Sequence, residues 1–235
     1  MKALLLAAGK GTRLRPLTET IPKCLVPIND KALLEYWLEN LTKVGIDEFL
    51  INTFYLHKQV EIFVENSKYR DKITLVYEKK LLNTAGTLLK NRAFFKDEAF
   101  MLVHADNLCF CDFNAFIHSH LTRDKRCAIT MMLFKSDNPS SCGIVELDKD
   151  NIVRKFHEKV DNPPSNLANG AVYICEASVI KSINKDEVDF SLDILPKYMG
   201  KINTYLNDIY HRDIGTIKSY NLAQKEIKAI PLKFR

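Results

Sequence analysis

The chain contains no run of about 18 apolar residues, the length a membrane-spanning helix needs. Its opening apolar run, Ala3 to Ala8, also falls short of a signal-peptide core of roughly 7 to 15 residues, and a single Lys precedes it. A cytoplasmic location with no membrane partner is therefore expected. Cysteine pairing is missing too. Of Cys24, Cys109, Cys111, Cys127, Cys142 and Cys175 only Cys109 and Cys111 stand close together, and no second pair lies at zinc-finger spacing. Free thiols, buried or partly buried, are the expectation, without disulfides. Nor do the basic residues gather: the net charge of +5 permits an anionic ligand, but Lys and Arg are interleaved with acids. That argues against a nucleic-acid partner. Repeats, low-complexity segments and linkers are absent as well, which leaves one domain over residues 1–235.

What is present is an alternation. ALLLA, from Ala3, reads as a buried strand, and the helical spacing that starts at Lys31 runs out before Gly45. EFLINTF, KITLVYE and AFMLVHA read as further strands, with HKQVEIFVENS and TAGTLLKNRAFF as helices between them. Apolar strands alternating with helices predict a mainly parallel sheet covered on both faces. The second half is richer in strands: RCAITMMLF, SCGIVELD, NIVRKFHEK and NGAVYIC predict antiparallel or mixed pairing. Helices return in DFSLDILPKYMG and from Thr216 to Ile227. The expected fold class is α/β, a single-domain, Rossmann-like, three-layer α/β/α arrangement around a mainly parallel mixed sheet.

In such sheets the ligand lies beyond the carboxyl ends of the strands. The residues there are chemically distinctive. Gly9, Gly11, Thr12 and Arg13 follow the first strand, Asn52 ends the second, Asp106 follows AFMLVHA, and Glu158 and Lys159 follow NIVRKFH. Gly9-Lys10-Gly11-Thr12 lacks the earlier glycine of an ATP P-loop, so it reads as a turn whose N–H groups face phosphates, with charge from Arg13 and Arg15. Asp106 suits either Mg²⁺ shared with phosphate oxygens or the cap of a following helix. Asp213, ahead of Gly215 and the last helix, carries the same two readings, and the two acids could share one metal. Arg15 suits either the charge of that turn or a surface ion pair, and other residues have plainer roles: His104 as a satisfied strand-end histidine, His118 and His120 as exposed helix residues, Trp37 as core packing.

LLAAGKGTRLRPLTETIPKCLVPI resembles the signature of sugar-1-phosphate nucleotidylyltransferases, with its Gly-x-Gly-Thr-Arg-Leu loop, its Pro-Leu-Thr, and Pro-Lys about ten residues beyond the Arg. Asn83-Thr84-Ala85-Gly86, Asp106, Cys142-Gly143-Ile144-Val145, Phe156-His157-Glu158-Lys159, Asn169-Gly170-Ala171-Val172-Tyr173 and Asp213-Ile214-Gly215-Thr216 extend the likeness, in order, over almost the whole chain. The resemblance implies condensation of a nucleoside triphosphate with a sugar 1-phosphate, giving a nucleotide sugar and pyrophosphate. It implies a nucleotide-binding half, 1–125, and a sugar-phosphate-binding half, 126–235. Ala7, Ala8, Gly9, Gly11, Thr12 and Arg13 would wrap the nucleotide, with Asn83 and Gly86 towards its base. Arg13, Lys23 and Asp106 would form the catalytic set, Asp106 and Asp213 would bind Mg²⁺, and Asn52, Gly143, Glu158, Lys159 and Asn169 would bind the sugar phosphate.

The stretch from Glu78 to Gly86 is more similar to the Leu-Gly-Thr-Ala-Gly of mannose- and heptose-type guanylyltransferases than to the Gln and Pro-x-Gly-Leu-Ala of thymidylyl and uridylyl members, although Asn83 stands in place of their glycine. That likeness implies GTP and a manno-configured sugar phosphate. The alternatives are cytidylyl or uridylyl transfer to another phosphorylated acceptor, and a non-catalytic nucleotide-sensing subunit. A sensor would be expected to lose Arg13, Lys23, Asp106, Lys159 and Asp213, which are all present. The β-helix of the family's longer members is not in this sequence, so no acyltransferase activity is expected. A homo-oligomer remains open.

Overall fold

Lys2–Leu6 forms the first strand, β1, and its Ala3, Leu4 and Leu5 are fully buried, the pattern of a strand covered on both faces. The computed structural model describes residues 1–234. After β1 come α1 (Leu17–Thr20), a small hairpin of β2 (Pro27–Ile28) and β3 (Lys31–Ala32), and α2 (Leu33–Lys43). Leu34, Trp37, Leu38 and Leu41 recur at helical spacing on the buried face of α2. Gly45, left-handed at φ 82°, stops the helix there and donates to the Thr42 carbonyl. The chain continues through β4 (Phe49–Thr53), α3 (His57–Glu65), β5 (Ile73–Tyr77), α4 (Asn83–Lys90), α5 (Arg92–Phe95), β6 (Phe100–His104), β7 (Asn107–Phe110) and α6 (Phe113–Thr122). It ends with β8 (Ile129–Lys135), β9 (Gly143–Leu147), β10 (Val153–Glu158), β11 (Leu167–Cys175), α7 (Ala177–Lys181), β12 (Ile202–Leu206), β13 (Tyr210–Asp213) and α8 (Ile217–Glu226). This is the expected α/β, Rossmann-like class with a mixed sheet.

The residues form two compact units interleaved along the sequence. One comprises Met1–Leu81, Val103–Phe113 and the chain from Ile209; the other comprises Leu82–Leu102 and Asn114–Asp208. In the first, the strand order is β1-β4-β5, and β4 runs parallel to both β1 and β5. A separate antiparallel ribbon joins β7 to β13, with Asn107 opposite Asp213. Leu14, Val26, Leu33, Leu108, Phe110, Ile214 and Ala223 share one core cluster, which fastens the first loop, α2, the ribbon and α8 together. Thr216 caps α8 in a reciprocal capping box with Ser219.

In the second unit β8 pairs antiparallel with β11 and parallel with β12, and β9 pairs antiparallel with β10 and β11. Two expectations change here. DFSLDILPKYMG makes two short turns, Phe190–Ile194 and Leu195–Tyr198, instead of one helix. Asp189 caps the first by accepting from Ser191 and Leu192, and Pro196 has no N–H with which to continue an α-helical ladder. His120, expected to be exposed, is 1% exposed. It lies one helical turn after buried Phe116, so the same face of α6 carries both inward.

The His120 ring approaches Thr130 Oγ1 at 2.8 Å through Nδ1, with Arg123 and Glu176 alongside. Burial, helped by the Arg123 guanidinium and opposed by Glu176, lowers its pKa to about 4. An unfolded-chain histidine titrates near 6.5, so the stability present above that pH is lost as pH falls towards 4, about 2 kcal/mol of it by pH 5. Urea unfolding at pH 7 and pH 5 should show this loss, and His120→Gln should remove that share of it.

Among the described residues no helix is long and apolar enough to cross a membrane. The six cysteines are free, and all but Cys142 are buried.

Candidate active site

In the first unit β1 ends at Leu6 and the chain turns through Ala7, Ala8 and Gly9 towards Gly11. The Ala7 N–H donates to Asn52 Oδ1 at 2.9 Å, and Asn52 Nδ2 donates to Glu78 Oε1 at 3.0 Å. Asn52 and Glu78 are both buried, just where β4 and β5 end. The Asn52 amide is therefore engaged in both directions inside the protein and braces the loop. Glu78 escaped sequence reasoning; its place directly after an apolar strand was the available signal. The two glycines of the loop differ. Gly11 is left-handed at φ 62°, and a Cβ there would lie 2.9 Å from Thr18 Cγ2 and 3.1 Å from Lys23 Cβ. A Cβ on Gly9 would meet nothing within 4 Å. Thr12 and Arg13, in the short turn after Gly11, are exposed.

Beside that turn the charged residues converge. Lys23 Nζ lies 2.8 Å from Asp106 Oδ2 and 3.2 Å from Asp213 Oδ1, and Arg13 Nη2 lies 3.9 Å from Asp213 Oδ2. The Lys23 side chain is 8% exposed and that of Arg13 70% exposed. Asp106 occupies the turn between β6 and β7, and Asp213 ends β13, so the β7–β13 ribbon brings the two acids together from distant parts of the chain. Neither caps a helix: a strand follows Asp106, and Thr216 caps α8. Gly215 matters here because a Cβ on it would lie 2.5 Å from Asp213 Oδ2. Burial opposes the Lys23 ammonium, but Asp106 and Asp213 outweigh it and raise its pKa above the ordinary lysine value. Burial likewise opposes the Asp106 carboxylate, and Lys23, with His104, holds its pKa below the ordinary range. Lys23 and Asp106 are thus both ionised at neutral pH.

Two carboxylates around one cation are hard oxygen donors of the kind that binds Mg²⁺ together with phosphate oxygens. Among the described residues no group of three or more His, Cys, Asp or Glu could hold a metal, so substrate oxygens would have to complete the shell. The donor set fits Mg²⁺ on those terms.

The second unit holds the remaining candidates. Gly143 opens β9 directly opposite Glu158, the last residue of β10. A Cβ on Gly143 would lie 2.4 Å from the Phe156 ring and 2.8 Å from Glu158 Oε2, so only glycine fits. Lys159, left-handed at φ 50°, donates its N–H to the Cys142 carbonyl, and its ammonium lies 3.0 Å from Glu158 Oε1. On β11, Asn169 Nδ2 donates to the buried Tyr173 hydroxyl at 2.6 Å, and Asn169 Oδ1 accepts from Ala171 N at 2.9 Å. Asn169 is only partly buried, so this bracing orients an amide that solvent still reaches. Asn83 and Gly86 lie in the first turn of α4, where Ala85 and Gly86 donate to the Val188 carbonyl. Phe156 and Tyr173, quoted in the motifs, were not read as supports for Gly143 and Asn169.

The chain matches the nucleotidyl transferase family over residues 2–229. It belongs to that family. This nucleotidyl transferase is 31% identical to the UTP–glucose-1-phosphate uridylyltransferase of Synechocystis sp., over 99% of this chain and 66% of the relative. It is 29% identical to the D-glycero-alpha-D-manno-heptose 1-phosphate guanylyltransferase of Aneurinibacillus thermoaerophilus, over 97% of this chain and 99% of the relative. The crystal structure of HddC from Yersinia pseudotuberculosis superposes with a TM-score of 0.82 at 25% identity, covering 96% of this chain and 99% of that one. HddC has also been solved in complex with GMP-PN. The chain spans 60% to 66% of the length of several curated relatives, the Synechocystis protein among them.

Proposed function

We propose that the protein condenses GTP with a manno-configured sugar 1-phosphate, releasing pyrophosphate and a GDP-sugar. The observation that carries this reading is the convergence of Lys23, Arg13, Asp106 and Asp213 beside the Gly11 turn. A phosphate oxygen of the sugar 1-phosphate must attack the α-phosphorus of the nucleotide, so two anions meet and neutralisation with in-line positioning is the chief demand. The attacking phosphate is already ionised near neutral pH and needs no general base.

In this mechanism the loop from Ala8 to Thr12 presents its N–H groups to the nucleotide while the Ala7 N–H stays on Asn52, and Arg13, exposed beside the loop, receives the departing pyrophosphate. Lys23 contacts the phosphate at the reacting end, while Asp106 and Asp213 would hold Mg²⁺. Bound there, the dication would draw charge from the phosphate oxygens as the α–β bond breaks. Lys159 takes the sugar phosphate, Glu158 and Asn169 hydrogen-bond the sugar hydroxyls, Gly143 offers its backbone, and Asn52 positions the nucleotide loop.

Two observations support guanine. Asn83 sits at φ 58°, in the left-handed region that asparagine tolerates best after glycine, so it replaces the glycine of the guanylyltransferase-like pattern at small cost. The heptose guanylyltransferase relative, and HddC with its GMP-PN complex, point the same way. The Synechocystis relative supports the second reading, UTP with glucose 1-phosphate. Pyrophosphate release with Mg²⁺ across four nucleoside triphosphates and mannose, glucose, glucosamine and heptose 1-phosphates separates them. Release with GTP and a manno-configured acceptor is expected. Release confined to UTP and glucose 1-phosphate would install the second reading, and nucleotide binding without release anywhere would favour a sensor subunit.

A further inference from the structure

We infer that Lys23 occupies the cation position between Asp106 and Asp213 until a nucleotide draws it away, and so makes metal binding depend on nucleotide binding. The inference rests on the reading of Asp106 and Asp213 as metal ligands. Its physical basis is the geometry of the cluster, in which the Lys23 ammonium touches one oxygen of each carboxylate, at 2.8 Å and 3.2 Å. The side chain is 8% exposed, so the contact is not the loose ion pair of a solvated surface. Its position is enforced from behind, where Gly11 leaves room for the Lys23 Cβ that a side chain on Gly11 would contact at 3.1 Å.

The charge balance follows. Two carboxylates alone would present two negative charges to an arriving dication. With Lys23 between them and Arg13 beside Asp213, the cluster is close to neutral, and the dication must displace an ammonium to reach the carboxylate oxygens. A triphosphate changes this exchange in two ways. Its oxygens give the Lys23 ammonium a new partner, which frees the two carboxylates, and they also supply metal ligands that the protein lacks. Nucleotide and metal then raise each other's affinity by the same factor, as linkage requires. Lys23 enlarges that factor because it weakens only the binding of metal alone. Free enzyme would therefore take up little metal, and the charge needed at the reacting phosphates would arrive with the nucleotide.

The test uses Mn²⁺ as the probe, its binding followed by electron paramagnetic resonance and by calorimetry without acceptor, so that no turnover is involved. Lys23→Met keeps the stem and removes the charge. It should tighten Mn²⁺ binding to the nucleotide-free protein about tenfold. The α,β-methylene analogues of GTP and UTP, which cannot be cleaved at the α-phosphorus, should tighten Mn²⁺ binding to wild type by a larger factor than to Lys23→Met. Lys23→Gln carries the same prediction should the methionine variant not fold, and Asp106→Asn should lose Mn²⁺ binding in every background. Unchanged or weaker Mn²⁺ binding in the Lys23 variants, or no Mn²⁺ binding in any protein, overturns the inference. Tighter binding in those variants, in a protein that releases pyrophosphate with no substrate pair, would uphold it and sink the proposed function instead.

Discussion

Asp106→Ala is expected to lower pyrophosphate release about 1,000-fold, the equivalent of roughly 4 kcal/mol of transition-state stabilisation. Asp106 supplies one of the two carboxylates of the cluster, and its replacement leaves Asp213 to hold a metal alone. The fold should survive the change. Lys23 keeps its contact with Asp213 at 3.2 Å, and the Asp106 side chain is 39% exposed, so no sealed charge is stranded. Asp106→Asn retains an acceptor for Lys23 without the charge and should lose nearly as much. The check is steady-state release over a Mg²⁺ titration, with unfolding followed in parallel. A variant within tenfold of wild type and as stable would remove Asp106 from the reacting centre.

That pair of acids shows what a sequence exposes and what it conceals. Asp106 follows an apolar run, and a polar residue at the carboxyl end of a buried strand is visible without coordinates. The apolar strands Lys2–Leu6, Phe49–Thr53 and Phe100–His104, buried along most of their length, were legible for the same reason. The approach of Asp213 was not. It depends on β7 and β13, four residues each and far apart in the chain, whose register no local pattern encodes. β12 was hidden differently, since its INTYL is only partly buried and lacks strict alternation. Asn52 was legible as a strand-end residue, whereas its hydrogen bonds to Ala7 and Glu78 arise only once three strands lie side by side. The grouping of Arg13, Lys23 and the two acids drew on the family resemblance, and the fold links them in a chain of three contacts, Asp106 to Lys23, Lys23 to Asp213 and Asp213 to Arg13.

Trp37→Ala should cost about 4 kcal/mol, a large part of the stability of a typical domain. The indole is 1% exposed and packs edge-on against Phe113, with ring centroids 6.0 Å apart, so truncation leaves a cavity that the surrounding residues cannot fill. Core packing alone was expected of it, yet its Nε1 donates to the Asn107 carbonyl at 2.8 Å, next to Asp106 in sequence. The same side chain therefore anchors α2 and steadies the turn that carries a candidate metal ligand. The two duties separate experimentally. Trp37→Phe keeps most of the apolar volume and loses the donor, so it should cost about 1 to 2 kcal/mol of stability while weakening Mn²⁺ binding in the presence of nucleotide. Since Trp37 is the only tryptophan, unfolding must be followed by circular dichroism rather than by indole fluorescence. Full stability and full metal binding in Trp37→Phe would mean that the indole N–H does not hold the Asp106 turn, whereas lost metal binding at modest cost in stability would tie this core residue directly to the site.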